Sequence, residues 1–314
     1  MMKPTVRPLT AAALCGALTL TAACTADRDA GGPSPGVSDE PSSAAARQKP
    51  SILARGVNIG VKYDQPGFNV EDGDTRHHAG FENDLANFLG KEMKFEGMAF
   101  NDIPSKDREK VLREGTAELV IATYSITDDR DEEIDFAGPY FQTRQGLLVR
   151  DEDRSIDSRE KTAGKVVCTV QGSTSDTRDS KPSTRKQLAR LLPEAGVHLQ
   201  EDYSDCVQQL RAGNVDAVWT DQAVLYGFVE RHDDVRVVEG LEIGSPQLYG
   251  VGIQEGAEED CRRVAEKLRE FITSARWRES FRNHFPKLAA ADEQFEQHYK
   301  PAVSDVDAYS CSDD

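Results

Sequence analysis

The chain has 314 residues, 38% of them hydrophobic, which is enough for two ordinary domains with buried cores. It carries 55 Asp and Glu against 38 Lys and Arg, for a formal net charge of −17 at pH 7. So acidic a chain excludes broad nucleic-acid binding, which needs a basic surface to displace phosphate counterions. A small-ligand site stays open, because a buried site has its own local field.

Lys3 and Arg7 precede an apolar run from Leu9 to Ala23 that threonines interrupt. The run is shorter and more polar than the roughly 20 apolar residues of a membrane span, so residues 1–23 read as an export signal. Leu20-Thr21-Ala22-Ala23-Cys24 resembles a bacterial lipoprotein cleavage box, in which small residues precede a cysteine that takes the lipid. Thr21 stands where that box usually has leucine, and an ordinary cleaved signal is the alternative. Residues 24–50 are rich in Ala, Gly, Ser, Pro and Asp and have no hydrophobic periodicity. They read as a flexible tether between a lipid on Cys24 and a body outside the cytoplasm, at the outer face of the cell membrane.

Of the six cysteines, Cys15 leaves with the signal and Cys24 is assigned to lipid. The remaining Cys168, Cys206, Cys261 and Cys311 imply two disulfides in an oxidising compartment. Four cysteines allow three pairings, and the one joining sequence neighbours, Cys168–Cys206 and Cys261–Cys311, is favoured. No two cysteines have zinc-ligand spacing, so no metal or cofactor is expected.

From Val57 onward, short apolar strands alternate with amphipathic helices. Val57–Val61 reads as a strand, and Phe81, Leu85, Phe88 and Leu89 fall on one helical face. Ser105 is placed to cap a helix ending before Gly115, and Leu119–Ala122 reads as a buried strand. Alternation of this kind implies a largely parallel sheet flanked by helices. The body also echoes itself. Residues 112–123 line up with residues 210–221, each a helix end, a glycine, an acidic residue, a buried strand and a polar residue. More loosely, Val57–Val61 matches Val166–Val170. Two similar α/β lobes follow. Ligands bind beyond the carboxyl ends of such strands, so Thr123 and Asp221 face each other across a central cleft.

Several ordered stretches resemble polar amino-acid-binding proteins of ABC importers. They are Gly60-Val61-Lys62-Tyr63-Asp64-Gln65-Pro66-Gly67-Phe68, Ile121 to Arg130, Ile134 to Tyr140, Val170 to Ser175, Trp219 to Gln222 and Tyr249 to Ile253. The resemblance covers about residues 51–290 and is strongest to glutamate-binding lipoproteins of actinobacteria. It implies the two-lobed type II periplasmic-binding-protein fold, with lobe 1 over 51–146 and 247–290, lobe 2 over 147–246, and a tail over 291–314. Segments near Gly146–Arg150 and Gly244–Leu248 are the expected hinges.

A free amino acid needs a fixed cation and donors for its carboxylate, and a carboxylate for its ammonium. The resemblance assigns the first role to Arg130, five residues after Ser125, with Thr123, Ser125, Ser173 and Thr174 adding hydrogen bonds. Asp221 takes the ammonium; capping the following helix is its other reading. Lys62, where relatives that bind basic amino acids carry aspartate, points to an acidic ligand, with Arg144 as a second cation. Tyr63 and Phe68 are expected to wall the cleft or else to belong to the core. The expected protein is a monomer that closes on glutamate or aspartate and serves a membrane permease. A sensor signalling to a membrane partner is one alternative, and an enzyme on the same fold is another. None of the six histidines adjoins a ligand motif, and His77-His78 reads as part of a solvated polar loop, so no catalytic residue is assigned.

Overall fold

The computed structural model describes residues 51–53, 55–72, 77–176 and 190–311. The export signal, Cys24 and the tether lie outside them. Strands β1 (Val57–Val61), β2 (Asp64–Gln65), β3 (Asn69–Asp72) and β4 (His77–Ala79) lead into α1 (Phe81–Met93) and β5 (Met98–Asp102). A 3-10 turn at Ser105–Asp107 is followed by α2 (Arg108–Arg113), β6 (Leu119–Val120), α3 (Asp128–Asp131) and the long β7 (Asp135–Arg150). Next come β8 (Val166–Val170), β9 (Gly196–Gln200), α4 (Tyr203–Arg211), β10 (Ala217–Asp221), α5 (Gln222–Arg231), β11 (Val235–Val237) and β12 (Ile243–Ile253). Five helices close the chain: α6 (Glu258–Thr273), α7 (Ala275–His284), α8 (Pro286–Ala291), α9 (Phe295–Tyr299) and α10 (Val303–Tyr309).

The main sheet runs β5-β1-β6-β12-β7-β10-β8-β9. Its two halves have the same plan. In the first, β1 lies between parallel neighbours β5 and β6, and β12 pairs antiparallel to β6. In the second, β8 lies between parallel neighbours β9 and β10, and β7 pairs antiparallel to β10. The sequence echo therefore marks equivalent strands, β1 with β8 and β6 with β10. The halves are joined where β12 and β7 pair with each other, with a register shift between Ile243 and Gln247. Both strands carry the chain from one lobe to the other.

Packing follows the sequence pattern. Helix α1 buries Phe81, Leu85, Phe88 and Leu89, as its spacing predicts. Phe68 is fully buried, with ring centroids 5.0 Å from Phe141, 5.1 Å from Phe285 and 5.6 Å from Tyr249. It is core and not cleft wall: an aromatic ring gains more from edge contacts on four sides than from a wet cleft. Ser105 is buried as the first residue of the 3-10 turn, and the cap position of α2 falls on Asp107, so the helix begins later than its sequence suggests, at Arg108. His77–Ala79 forms a short strand instead of a loop, and the His78 ring stacks on Tyr63 at 4.4 Å.

Two disulfides, Cys168–Cys206 and Cys261–Cys311, tie strand to helix and helix to tail. The tail is docked: Phe295, Tyr299 and Val306 are buried, and Cys311 N–H donates to Phe136 O at 2.8 Å. The second disulfide spans 50 residues, so its loss restores a large amount of unfolded-chain entropy. The double variant Cys261→Ser/Cys311→Ser is expected to lose about 4 kcal/mol of stability, read from urea unfolding beside the parent protein.

Candidate functional site

Strands β6 and β10 each run parallel to the central strand of their own half, so residues just past their carboxyl ends meet between the lobes. A narrow cavity forms there. Ser105, Arg108, Thr123, Ser125 and Arg130 line it from the first half, and Ser173, Thr174, Tyr203, Thr220 and Asp221 from the second.

Thr123 holds a left-handed backbone, φ 44°, which a β-branched residue rarely adopts. Its surroundings enforce that shape. Thr123 N–H donates to Glu82 Oε1 at 2.6 Å, and its hydroxyl donates to Gln65 Oε1 at 2.8 Å. Glu82 Oε1 also accepts the Tyr140 hydroxyl at 2.5 Å. Burial pushes the Glu82 carboxyl up to about 7, against the pull of the Tyr140 hydroxyl, the Thr123 N–H and the Arg108 charge.

Two arginines enter the cavity from the first half. Arg130 donates from Nη1 to Ser125 O at 2.7 Å and from Nη2 to Gly172 O at 2.9 Å, and its Nε lies 3.2 Å from Glu109. Arg108 donates from Nε to Ser105 O at 2.9 Å, from Nη1 to Ala122 O at 3.0 Å and from Nη2 to Gly172 O at 2.9 Å. Both guanidiniums lie over the Tyr124 ring, at 4.5 Å and 5.0 Å, where the π face favours a cation. Burial, then the neighbouring Arg108 charge, lowers the Arg130 pKa. One backbone oxygen of the second half thus sits where two cations of the first converge. Gly172 is required at this point: its φ is 74°, and a Cβ there would lie 2.5 Å from Lys106 Cα.

The second half supplies the opposite charge. Asp221 is buried, and its Oδ2 accepts the Tyr249 hydroxyl at 2.5 Å. Its Oδ1 is buried without a hydrogen-bond partner, in a residue that lines the cavity. Burial pushes this carboxyl up to about 6, partly offset by the Tyr249 hydroxyl, the Gln145 amide and the two arginines. Asp221 precedes α5 in the cap position but makes no side-chain cap bond, so capping does not explain it. Beside it, Thr174 donates to Gln247 Oε1 and accepts from Gln145 Nε2, both at 2.9 Å. Ser173 donates to Val170 O at 2.8 Å.

Of the residues singled out in the sequence, Thr123, Ser125, Arg130, Ser173, Thr174 and Asp221 come together here. Four others do not. Lys62 is fully buried outside the cavity lining, 3.1 Å from both Asp64 and Asp202. Arg144 is half-exposed and pairs with Glu242 at 3.2 Å. Tyr63 is engaged by His78 and Phe68 by the core. Arg108 and Tyr203 were missed by sequence reasoning. The Arg108 signal was present in part: an arginine in the first turn of the helix that follows β5, on the same side of the sheet as the end of β6. Among the described residues, no group of three His, Cys, Asp or Glu is placed to hold a metal. A wider cavity of about 530 Å³ at Ile52 and residues 254–262 carries four carboxylates and one arginine, and lacks a converging polar set of both signs.

A paired α/β fold with cations on one wall and a carboxylate on the other defines a clamp for a small zwitterion. Residues 57–287 match the family of bacterial extracellular solute-binding proteins, family 3, and the chain belongs to that family. It is thus an extracellular solute-binding protein and not an enzyme. The chain is 36% identical over 225 residues to the glutamate-binding protein GluB of Corynebacterium glutamicum, covering 68% of this chain and 72% of that one. It is 29% identical to a glutamine-binding protein of Geobacillus stearothermophilus, over 79% and 91% of the two chains. Among solved structures, an ancestral arginine-binding protein bound to glutamine matches with a TM-score of 0.64 at 27% identity, covering 73% of this chain and 97% of that one. No helix among the described residues is long and apolar enough to cross a membrane.

Proposed function

We propose that the chain captures an acidic amino acid, glutamate before aspartate, for a membrane importer. One observation carries this reading: the cavity gathers two arginines and one aspartate, and an acidic amino acid offers two carboxylates and one ammonium. Arg130 takes the α-carboxylate in a bidentate pair, helped by Ser125, Thr123, Ser173 and Thr174. Asp221 Oδ1 takes the ammonium. Arg108 takes the side-chain carboxylate, the role sequence reasoning gave to Lys62 and Arg144. The names of the GluB relatives at 36% and 33% identity support glutamate, while the glutamine-binding relatives keep the neutral amide as the competitor to test.

In this reading lobe 1 comprises residues 51–146 and 247–290 and lobe 2 comprises 147–246. The ligand bridges them, and β7 and β12 bend near Gly146–Arg150 and Gly244–Leu248. The monomer, tethered through lipid on Cys24, then delivers its ligand to the permease of an ABC importer.

Calorimetric titration with all proteinogenic amino acids tests the proposal. Glutamate is expected to bind tightest; failure of glutamate and aspartate alongside binding of glutamine or a basic amino acid overturns it. Arg108→Met is expected to weaken glutamate by about 30-fold and glutamine by far less, because only glutamate leaves a charge unpaired in a dry site. The ratio of the two affinities is the readout, since Arg108 also supports the carbonyls of Ser105 and Ala122.

A further inference from the structure

We propose that Lys62 and the hairpin turn at Asp64–Pro66 form a latch that sets how firmly the lobes close, governing affinity for every ligand and discriminating among none. The inference rests on the reading of the cavity as an interlobe clamp. Three contacts leave this short stretch of lobe 1 and all end on helices of lobe 2. Lys62 Nζ donates to Asp202 Oδ1 at 3.1 Å while Asp64 Oδ1 lies 3.1 Å from the same nitrogen. Asp64 Oδ2 accepts the N–H of Tyr203, the first residue of α4, at 2.6 Å. Pro66 O lies so close to α5 that a Cβ on Gly227 would be 1.8 Å away.

Each contact has a physical demand that only the closed arrangement meets. The Lys62 ammonium has lost its water, and two carboxylates replace it; with Asp202 withdrawn, half of that compensation goes. The Tyr203 N–H is one of the orphan donors of a helix N-terminus, and a carboxylate from the other lobe satisfies it. Gly227 sits inside an ordinary helix, where glycine is unfavourable relative to alanine. Its presence follows from the close backbone approach of Pro66 and from no special φ. Of these groups only Tyr203 belongs to the cavity lining, and the latch uses its backbone.

A ligand that binds the closed form has an apparent Kd equal to its intrinsic Kd divided by the closed-competent fraction. Weakening the latch lowers that fraction once, by the same factor for all ligands. A lysine that touched the ligand side chain would instead change the ratio between glutamate and glutamine. Gly227→Ala, Asp202→Asn and Lys62→Met, each in the full chain, separate the two roles. Titration with L-glutamate and L-glutamine is expected to show both Kd values raised by about tenfold or more in Gly227→Ala and by about three- to tenfold in the other two, with their ratio unchanged. X-ray scattering of the ligand-free proteins is expected to show a larger radius of gyration in each variant than in the parent, and Lys62→Arg is expected to restore the parent values. A changed glutamate-to-glutamine ratio in Lys62→Met, or unchanged Kd and radius in Asp202→Asn, overturns the latch. Should Gly227→Ala fail to fold, the two charge variants decide the matter. Should the parent bind no amino acid, the clamp reading fails, and the scattering comparison still reads the latch by itself.

Discussion

Replacing Arg130 by lysine is expected to weaken binding of the proposed amino-acid ligand by about 100-fold, although the charge is kept. The guanidinium does three things at once in this site. It donates to Ser125 O and Gly172 O from two different nitrogens, it faces Glu109 through Nε, and it lies over the Tyr124 ring. A lysine ammonium is a point donor that cannot span two oxygens in one plane or stack its charge on a ring over the same reach. Loss of a bidentate, charge-assisted pair in a buried site is worth about 2–4 kcal/mol, which is about 30- to 1,000-fold. Isothermal titration measures it. An affinity within threefold of the parent rules out the bidentate clamp.

Asp221→Asn is expected to have an effect of similar or larger size, and a distinct pH signature. In the proposed binding mode the ammonium of the amino acid meets the buried Asp221 carboxylate, whose Oδ1 has no hydrogen-bond partner among the described residues. Removing that charge strands a desolvated ammonium, a loss of about 3 kcal/mol or more, so affinity is expected to fall at least about 100-fold. The pH dependence follows from the raised pKa. With the free carboxyl at about 6, ligand must recruit the ionised form, so affinity is full above that value and declines as pH falls through it. Between pH 7 and pH 5 the parent protein is expected to lose about tenfold in affinity from this group alone. The asparagine variant is expected to show no such step. For stability of the ligand-free protein the sign is opposite. The folded state holds the Asp221 proton more tightly than the unfolded chain. That contribution is fully present below the unfolded pKa of 3.8 and is lost as pH rises through about 6.

Much of the architecture was legible in the residue pattern because its cause is local. The period of Phe81, Leu85, Phe88 and Leu89 requires a helix with one buried face, and α1 buries those four side chains. The match of residues 112–123 to 210–221 identified equivalent strands, since a helix end, a glycine and an apolar run carry the same geometry wherever they occur. The polar residues Thr123 and Asp221 were legible for a related reason: each lies at or just past a strand's carboxyl end, where an open α/β sheet leaves its backbone for solvent and ligand, whereas Arg130 was singled out by the family resemblance. The start of α2 was misjudged by two residues because Ser105 looks like a cap but is spent in a 3-10 turn.

The charges were harder. Lys62 follows β1 directly, and nothing in its neighbours along the chain signals Asp202, 140 residues away, which holds it. Arg108 reads as one more cation in the stretch Lys106 to Lys110, yet the chain folds its guanidinium under Tyr124 and against Gly172 of the opposite lobe. Gly227 looks like a flaw in a helix until Pro66 arrives on it.

The sequence by itself determined the alternation of strands and helices, the internal echo that marks equivalent strands and the polar residues at two strand ends, because each follows from spacing along a few turns or strands. Only the tertiary structure decided which cations line the cavity at the strand ends and which pair with distant carboxylates elsewhere. A buried charge takes its role from whichever partners replace its water, and those partners come from distant parts of the chain.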